Sequence, residues 1–378
     1  MTLKDIQRYS DYYSSGVNPD FTIRRRKERV IVMIPVIDMH CDTISAIHDR
    51  RLGKETIGLR DNRLHIDLER MRSAAYMCQN FAFFTYLKNW EEEGDLERYG
   101  ETEVRKHFET PYDYVQSLSE TLDQEFACNG DLIRQARSGT EIEENFRKGL
   151  MSGIKTVEEG AVYEGDPKCL KALYDQGVRM TTLTWNFEND LAYPNRVDFR
   201  TGKVIPDTEH GLKPKGKEMA EYCRELGIIM DISHLNDGGI LDLFDLYGNQ
   251  TPIVASHSNA REITGHPRNL TDEMLKKLAR CGGVTGINFC AAFLNDRNDN
   301  FSKVDDMIRH IKHIENVAGI DAIGLGGDMD GIENNIEFEH CGGMQKLAQA
   351  LEKAGYNQDK IEKIFYRNVL RVYKEVLG

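Results

Sequence analysis

The residues best suited to chemistry lie at the end of the first strongly apolar segment, in VIDMHCDTIS (36–45). A strand places residues i, i+2 and i+4 on one face, so Asp38, His40 and Asp42 share a face while the residues between them point away. Burying such polar groups without partners would cost roughly 2–7 kcal/mol each. The cluster therefore indicates a divalent metal ion that compensates the buried groups.

Short apolar segments recur along the chain and alternate with helical stretches. Several follow an amphipathic helix that ends in a glycine, as in GKEMAEYCRELGIIM, which is the pattern of helix, glycine cap and strand. Strands alternating with helices indicate parallel βαβ units, and eight such units close a (β/α)8 TIM barrel. The eight segments span residues 30–40, 74–86, 153–160, 178–186, 227–234, 251–259, 282–289 and 322–331.

The same pattern predicts a single barrel catalytic domain over residues 30–378, a size that α/β barrels commonly reach as one domain. Residues 1–29 carry no apolar periodicity that requires a core element, and we predict an N-terminal extension there. A charged, mostly helical insertion of about residues 87–150 separates predicted strands two and three. A second long segment, 187–215, follows strand four. We expect both segments to stand over the barrel mouth.

Composition and charge exclude several classes of protein. The 378 residues carry a formal net charge of −13, which argues against nucleic acid as a partner because phosphates are bound through Lys and Arg. The 8 cysteines occur singly, as expected for reduced thiols in a cytoplasmic protein. The polar N-terminus lacks the apolar region of a signal peptide. The apolar run at 30–37 is far shorter than the ~20 residues of a spanning helix, so we expect no membrane partner.

Polar side chains stand at the carboxyl ends of several predicted strands, where catalytic groups of such barrels lie. One buried histidine is more often structural, but three histidines and several carboxylates at one rim are hard to explain as satisfied core. Imidazole and carboxylate without thiolate suit Zn²⁺ or a similar ion, and five ligands fit two ions better than one. The six potential ligands or proton carriers at the strand ends are His40, Asp42, Glu158, His234, His257 and Asp328.

Separate motifs along the chain resemble the membrane dipeptidase (renal dipeptidase) family of zinc peptidases, in the amidohydrolase-like group of barrels. The match runs in family order from about residue 33 to the C-terminus. It implies a metallo-dipeptidase that hydrolyses dipeptides, including those with a C-terminal D-residue. The matching motifs are IDMHCDT, FRKGLMSGIKTVEEG, GVRMTTLTWN, GIIMDISH, ASHSNAREITGHPRNLTDE, GINF, GLGGDMDG and FYRNVLRV.

The resemblance implies a binuclear zinc site with two Zn²⁺ per chain. His40 and Asp42 would bind the first ion, and His234 and His257 the second. Glu158 would bridge the two ions, because the family pattern selects the first of the two glutamates in TVEEG.

The resemblance also implies roles for residues that handle the substrate. Asp328 in GGDMDG would be the acid/base that takes a proton from the attacking hydroxide and gives it to the leaving amine. Arg268 in HPRN would bind the substrate's C-terminal carboxylate with its guanidinium fork. Trp185 replaces a mammalian histidine that stabilises the oxyanion, and an indole N–H donates one hydrogen bond without charge. Asn186 or Asn189 could supply the missing donor.

Two alternatives to a dipeptidase stay open from the residues alone. The same metal barrel could hydrolyse N-acyl amino acids, lactones or phosphoesters, or it could be a metal-stabilised binding protein. Turnover of dipeptides but not of amidated dipeptides would favour the dipeptidase. The resemblance further implies a homodimer.

Overall fold

Eight parallel strands dominate the computed structural model, which describes residues 33–85, 108–198 and 203–378. The strands are β1 (Val36–Asp38), β2 (Tyr76–Phe84), β3 (Met151–Glu158), β4 (Val178–Thr182), β5 (Ile229–Met230), β6 (Val254–Ala255), β7 (Val284–Ile287) and β8 (Ile323–Leu325). They form a ring in the order β5-β4-β3-β2-β1-β8-β7-β6, which a bridge between Asp231 and Val254 closes. Each strand overlaps one predicted segment, and the predicted TIM barrel is confirmed.

Helices surround the ring, and local sequence signals set their ends. Thr110 and Asp113 form a capping box at one helix start, and Gly227 ends another at φ 70°, a conformation that glycine adopts without strain. The helices are α1 (Thr43–Leu52), α2 (Leu68–Ser73), α3 (Pro111–Cys128), α4 (Gly139–Arg147), α5 (Pro167–Asp175), α6 (Pro214–Leu226), α7 (Asp237–Tyr247), α8 (Asp272–Arg280), α9 (Ala291–Leu294), α10 (Val304–Ala318), α11 (Gln345–Lys353), α12 (Gln358–Glu362) and α13 (Asn368–Leu377).

An apolar layer fills the barrel interior beneath the strand ends. It combines buried side chains from seven strands with residues of α13, whose Tyr373 hydroxyl donates to Asn80 Oδ1 of β2 at 2.9 Å. Fully burying one such aliphatic side chain contributes about 1.5–3 kcal/mol. The layer gives the polar residues above it a rigid, dry floor. Its strand members are Ile37, Met77, Cys78, Ile154, Met180, Ile229, Val254 and Val284.

The described part of the predicted insertion, residues 108–150, contains two helices and the short strand Ile133–Gln135, and it packs on the outside of the barrel rather than over its mouth. The ring of Phe126 in α3 lies against Gly153 of β3, where an added Cβ would come within 2.4 Å of it. Lys155, also on the outer face of β3, places its buried Nζ 2.7 Å from the Asp123 carboxylate of α3. For residues 108–150 the expectation was wrong, because their charged residues form the outer face of helices in the barrel wall.

The remaining predicted segments are only partly described. Residues 1–29 and 87–107 lie outside the described residues. The segment after β4 contains an antiparallel hairpin of Arg196–Asp198 with Lys203–Ile205. Among the residues that the structure describes, no helix has the length and apolar character needed to cross a bilayer.

Candidate metal centre

The six predicted strand-end residues come together at the carboxyl-terminal rim of the barrel. Parallel strands of a barrel present the side chains at these ends to one common opening. Three overlapping groups among them have potential ligand atoms within 4.8 Å of one another. Five of the six are buried, and Asp328 is partly exposed. The residues are His40, Asp42, Glu158, His234, His257 and Asp328.

Glu158, the last residue of β3, lies between two sets of imidazoles. Its Oε2 is 3.2 Å from Nε2 of His40. Its Oε1 is 2.8 Å from Nε2 of His234 and 3.4 Å from Nε2 of His257. Each carboxylate oxygen therefore faces a different set of nitrogens, which is the arrangement required of a ligand shared by two ions.

The first half of the centre is rich in carboxylates. His40 Nε2 lies 3.4 Å from Asp42 Oδ2 and 3.9 Å from Asp328 Oδ1. Nevertheless, His40 Nε2 and Asp42 Oδ1 are buried without a hydrogen bond. Burial disfavours the imidazolium, but Glu158 and Asp42 outweigh it and raise the pKa of His40 well above its usual value. Lone pairs without partners in one buried cluster are what a bound cation would satisfy.

The second half of the centre places acceptor atoms against one another. His257 Nδ1 is 2.7 Å from Ser256 Oγ, whose own hydrogen goes to Asp231, so this nitrogen donates. His234 Nδ1 donates to Asn186 Oδ1 at 3.3 Å. With both protons on Nδ1, the two Nε2 lone pairs face each other at 2.9 Å. Glu158 Oε1 faces the same point, so three acceptor atoms converge on a position that fits a cation, although the guanidinium of Arg268 donates to one of them, His234 Nε2.

Charge at the centre is costly without such a cation. Burial raises the pKa of Glu158 to about 8, although the neighbouring His40 lowers it. Burial likewise raises the pKa of Asp328 to about 6. Burial, with the positive charges of Arg268 and His40, lowers the pKa of His234 and His257 well below the usual value. The carboxylate and neutral imidazole donors fit Zn²⁺, which binds both types in proteins.

Asp328 is presented to the centre by an unusual backbone conformation. Its φ is 58°, in the left-handed region that non-glycine residues seldom adopt, and such strain is common at functional sites. Asn288, directly after β7, donates to Asp328 Oδ2 at 3.0 Å. Gly331 leaves room for the carboxylates, because an added Cβ would lie 2.1 Å from Asp42 Oδ2. The functional role of Asn288 was not predicted from the sequence, where the only signal is a polar residue near the end of a predicted strand, in the motif GINF.

Arg268 lies against the imidazole half of the centre and is buried, with 6% of its surface exposed. Its Nη2 donates to His234 Nε2 at 3.0 Å, and Nη1 lies 3.4 Å from Ser258 Oγ. Burial lowers the pKa of the guanidinium below its usual value. Within the described ranges, no carboxylate forms an ion pair with it. A buried guanidinium without an anionic partner is suited to bind the carboxylate of a ligand.

The loop after β4 borders the same half of the centre. The Trp185 ring centroid lies 5.7 Å from that of His234, and the Trp185 backbone N–H donates to Glu159. Asn186 contacts His234, as described above. Asn189 donates to Glu159 Oε1 at 2.6 Å and to a backbone carbonyl, so its amide group holds the loop. Glu159 is thus turned away from the centre, and substrate binding by Trp185 and Asn186 stays a prediction.

A model of the membrane dipeptidase family (peptidase family M19) matches residues 24–377 of the chain. The chain belongs to the membrane dipeptidase family. This confirms the resemblance drawn from the motifs and places the chain among metallo-dipeptidases, hydrolases that act on peptide bonds. The metal-ligand geometry at the barrel rim agrees with that membership.

Relatives of this membrane dipeptidase family member cover most of its length. It is 32% identical over 268 residues to an uncharacterized protein in the pqqA 5′ region of Klebsiella pneumoniae, covering 70% of this chain and 97% of that protein. It is 29% identical to an uncharacterized dipeptidase of Schizosaccharomyces pombe, over 94% of this chain and 84% of the relative.

Solved structures of metallopeptidases share the fold. A metallopeptidase from Rhodobacter sphaeroides, liganded with a phosphinate mimic of the dipeptide L-Ala-D-Ala, superposes with a TM-score of 0.79 at 26% identity. The match covers 91% of this chain and 99% of that one. A second metallopeptidase of family M19, named dipeptidase AC, matches with the same TM-score of 0.79, at 26% identity and 92% coverage of this chain.

Proposed function

We propose that this chain hydrolyses dipeptides with the aid of two zinc ions. One ion would be held by His40, Asp42 and Glu158, and the other by Glu158, His234 and His257. The single observation that carries the proposal is Glu158, which presents one carboxylate oxygen to each set of imidazoles at 2.8–3.4 Å. When bound, the ions would lower the pKa of a water molecule and polarise the scissile carbonyl.

Asp328 would move the proton in this reaction. Its carboxylate accepts a proton from the attacking water and then donates it to the leaving amine, a role that suits a carboxyl group with a pKa near 6. The hydrogen bond from Asn288 holds one carboxylate oxygen and leaves the other directed towards His40, 3.9 Å away.

Arg268 would select substrates by length. A carboxylate bound to its guanidinium replaces the missing anionic partner and gains two parallel hydrogen bonds. Because the guanidinium lies 3.0 Å from His234, a carboxylate held there would lie next to the metal centre, as expected for the residue directly after the scissile bond. Tolerance of a D-residue at this position is part of the proposal, and the L-Ala-D-Ala mimic in the Rhodobacter sphaeroides relative supports it.

We further propose a cytoplasmic location and a homodimer, with no nucleic acid or membrane as partner. Support for the location comes from the cysteines, all 8 of which are free. Light scattering on purified protein tests the dimer, and a mass equal to one chain would exclude it.

A comparison of substrates tests the proposed function. We expect turnover of L,L- and L,D-dipeptides, little turnover of the same dipeptides with an amidated C-terminus, and loss of all turnover after chelation that Zn²⁺ reverses. Equal turnover of free and amidated dipeptides would contradict a carboxylate site at Arg268. Turnover of N-acyl amino acids, lactones or phosphoesters without any dipeptide cleavage would favour the alternative hydrolase.

A further inference from the structure

We infer that Asp231 and Ser256 form a positioning relay that fixes the proton of His257 on Nδ1 and directs its Nε2 lone pair into the centre. The inference rests on the proposed function, because the direction of the His257 lone pair matters only if His257 binds a metal ion. It assigns a function to two residues beyond the six strand-end residues and Arg268. Neither residue touches the substrate, so both are positioning residues.

Asp231, directly after β5, is an acceptor whose oxygens are fully used. Its Oδ1 accepts from the Ser233 N–H at 2.9 Å, from Ser233 Oγ at 2.6 Å and from the Ser256 N–H at 2.9 Å. Its Oδ2 accepts from Ser256 Oγ. Only 5% of the Asp231 surface is exposed. The carboxylate is therefore held in one orientation by four donors and remains so without any ligand.

The hydroxyl of Ser256 transmits this polarity to His257. A serine hydroxyl has one hydrogen, and Asp231 Oδ2 takes it. The oxygen can then only accept from His257 Nδ1, at 2.7 Å. Ser233 Oγ also accepts from the His257 backbone N–H at 3.1 Å, which fixes the main chain as well as the ring. His257 is thus left with a free lone pair on Nε2, the nitrogen that faces Glu158.

The relay distinguishes His257 from the other imidazole of the same half. The Nδ1 proton of His234 goes to Asn186, a neutral and exposed amide at a longer distance of 3.3 Å. His257 is instead linked through one hydroxyl to a buried carboxylate, which strengthens the donor character of Nε2. Carboxylates behind metal-ligating histidines act in this way, and their loss typically costs 10–100-fold in metal affinity.

Asp231→Asn is a nearly isosteric variant that reverses the relay. The three donors at Oδ1 keep the amide oxygen in that position, so the amide NH₂ replaces Oδ2 and donates to Ser256. The Ser256 hydrogen then turns towards His257 Nδ1, and the imidazole proton moves to Nε2, where it blocks the lone pair. Ser256→Ala removes the link altogether.

Ser152→Ala is the matched control. Ser152 is a fully buried serine of β3 whose hydroxyl accepts one hydrogen bond, from Asn145 at 3.1 Å, at the opposite end of the strand from Glu158. The control removes the same group from the same kind of environment without touching the centre.

The experiment measures the zinc affinity of the full-length, zinc-loaded protein by competition with a chromogenic chelator, with circular dichroism to verify folding. We expect Ser256→Ala and Asp231→Asn to lower the affinity for one of the two zinc ions by about 10–100-fold and to leave the affinity for the other unchanged. The Ser152→Ala variant should bind both ions with wild-type affinity. If Asp231 and Ser256 had a purely structural role, their substitution would lower the affinity for both zinc ions together.

Unchanged affinity for both ions in a folded Asp231→Asn protein would overturn the relay and leave the proposed function intact. Failure of the wild-type protein to bind zinc would overturn both. If Ser256→Ala does not fold, the isosteric Asp231→Asn variant decides the result.

Discussion

The two halves of the centre on either side of Glu158 use different means to hold a cation. On the His40 side, two further carboxylates lie within 3.4–3.9 Å of Nε2, and buried atoms there lack hydrogen bonds. On the His234 and His257 side, both ring protons are fixed on Nδ1, and the charged group that faces the imidazoles besides the shared Glu158 is the Arg268 guanidinium. The first half attracts a cation by charge, and the second by oriented lone pairs.

This difference matches the two tasks that hydrolysis of a dipeptide requires. The carboxylate-rich half contains Asp328 and is suited to proton transfer. The imidazole half has little negative charge of its own, so it can receive the carboxylate of a substrate beside Arg268 without strong repulsion. One shared glutamate joins the halves, and variants can be chosen that affect both halves or one of them.

Glu158→Gln should have the largest effect because it weakens both halves. The amide lacks the charge that the two proposed ions would share, so we expect both zinc ions to be lost. We expect kcat/KM to fall by more than the about 10²–10⁴-fold that loss of a general acid–base causes. Metal analysis by mass spectrometry and dipeptide kinetics measure the two effects. Retention of both ions would contradict the shared role.

The neighbouring Glu159 provides the control for that variant. Its carboxylate is equally buried but bonds to the loop after β4 through Trp185 and Asn189. Glu159→Gln should destabilise the loop while the metal content remains that of the wild type.

Asp328→Asn should act on the carboxylate-rich half alone. The amide cannot carry the proton, so we expect kcat to fall by about 10²–10⁴-fold with zinc content unchanged. Asp330→Asn is the control, since Asp330 accepts from Thr43 Oγ1 and the His65 N–H and supports the turn. A kcat of Asp328→Asn within tenfold of wild type would exclude Asp328 as the proton carrier.

Arg268→Lys should produce the smallest of these effects, on the imidazole half. A point charge replaces a two-pronged donor, and losing a charged hydrogen bond costs about 1.5–3 kcal/mol. We expect KM for free dipeptides to rise by roughly 10–100-fold and that for amidated dipeptides to stay constant. Arg261→Lys in the same loop, where Arg261 pairs with Asp237, should leave KM unchanged. Equal rises for both substrate types would contradict the carboxylate site.

The sequence was sufficient to predict the barrel and the strand ends that carry the candidate metal ligands. The alternation of helices and strands places every strand end on one rim, so the sequence alone predicts that His40, Glu158, His234 and His257 lie close together. The glycines in GLGGDMDG were correctly explained by close packing between strands. An added Cβ at Gly326 would lie 1.7 Å from the backbone carbonyl oxygen of Ser256, the residue directly after β6.

Contacts that depend on the register between neighbouring strands could not be predicted. The hydrogen bond of Asn288 to Asp328 and the relay from Asp231 through Ser256 join residues of different strands, and a shift of one residue would remove them. The packing of α3 was also missed, because the ion pair of buried Lys155 with exposed Asp123 looks in the sequence like two surface charges.

The central claim is that Glu158 joins two metal ions, and anomalous diffraction from crystals grown with Zn²⁺ tests it most directly. We predict two anomalous peaks roughly 3.5–4 Å apart, one on the His40 and Asp42 side of Glu158 and one on the His234 and His257 side. A single peak at full zinc loading, or peaks that do not contact Glu158, would contradict the account.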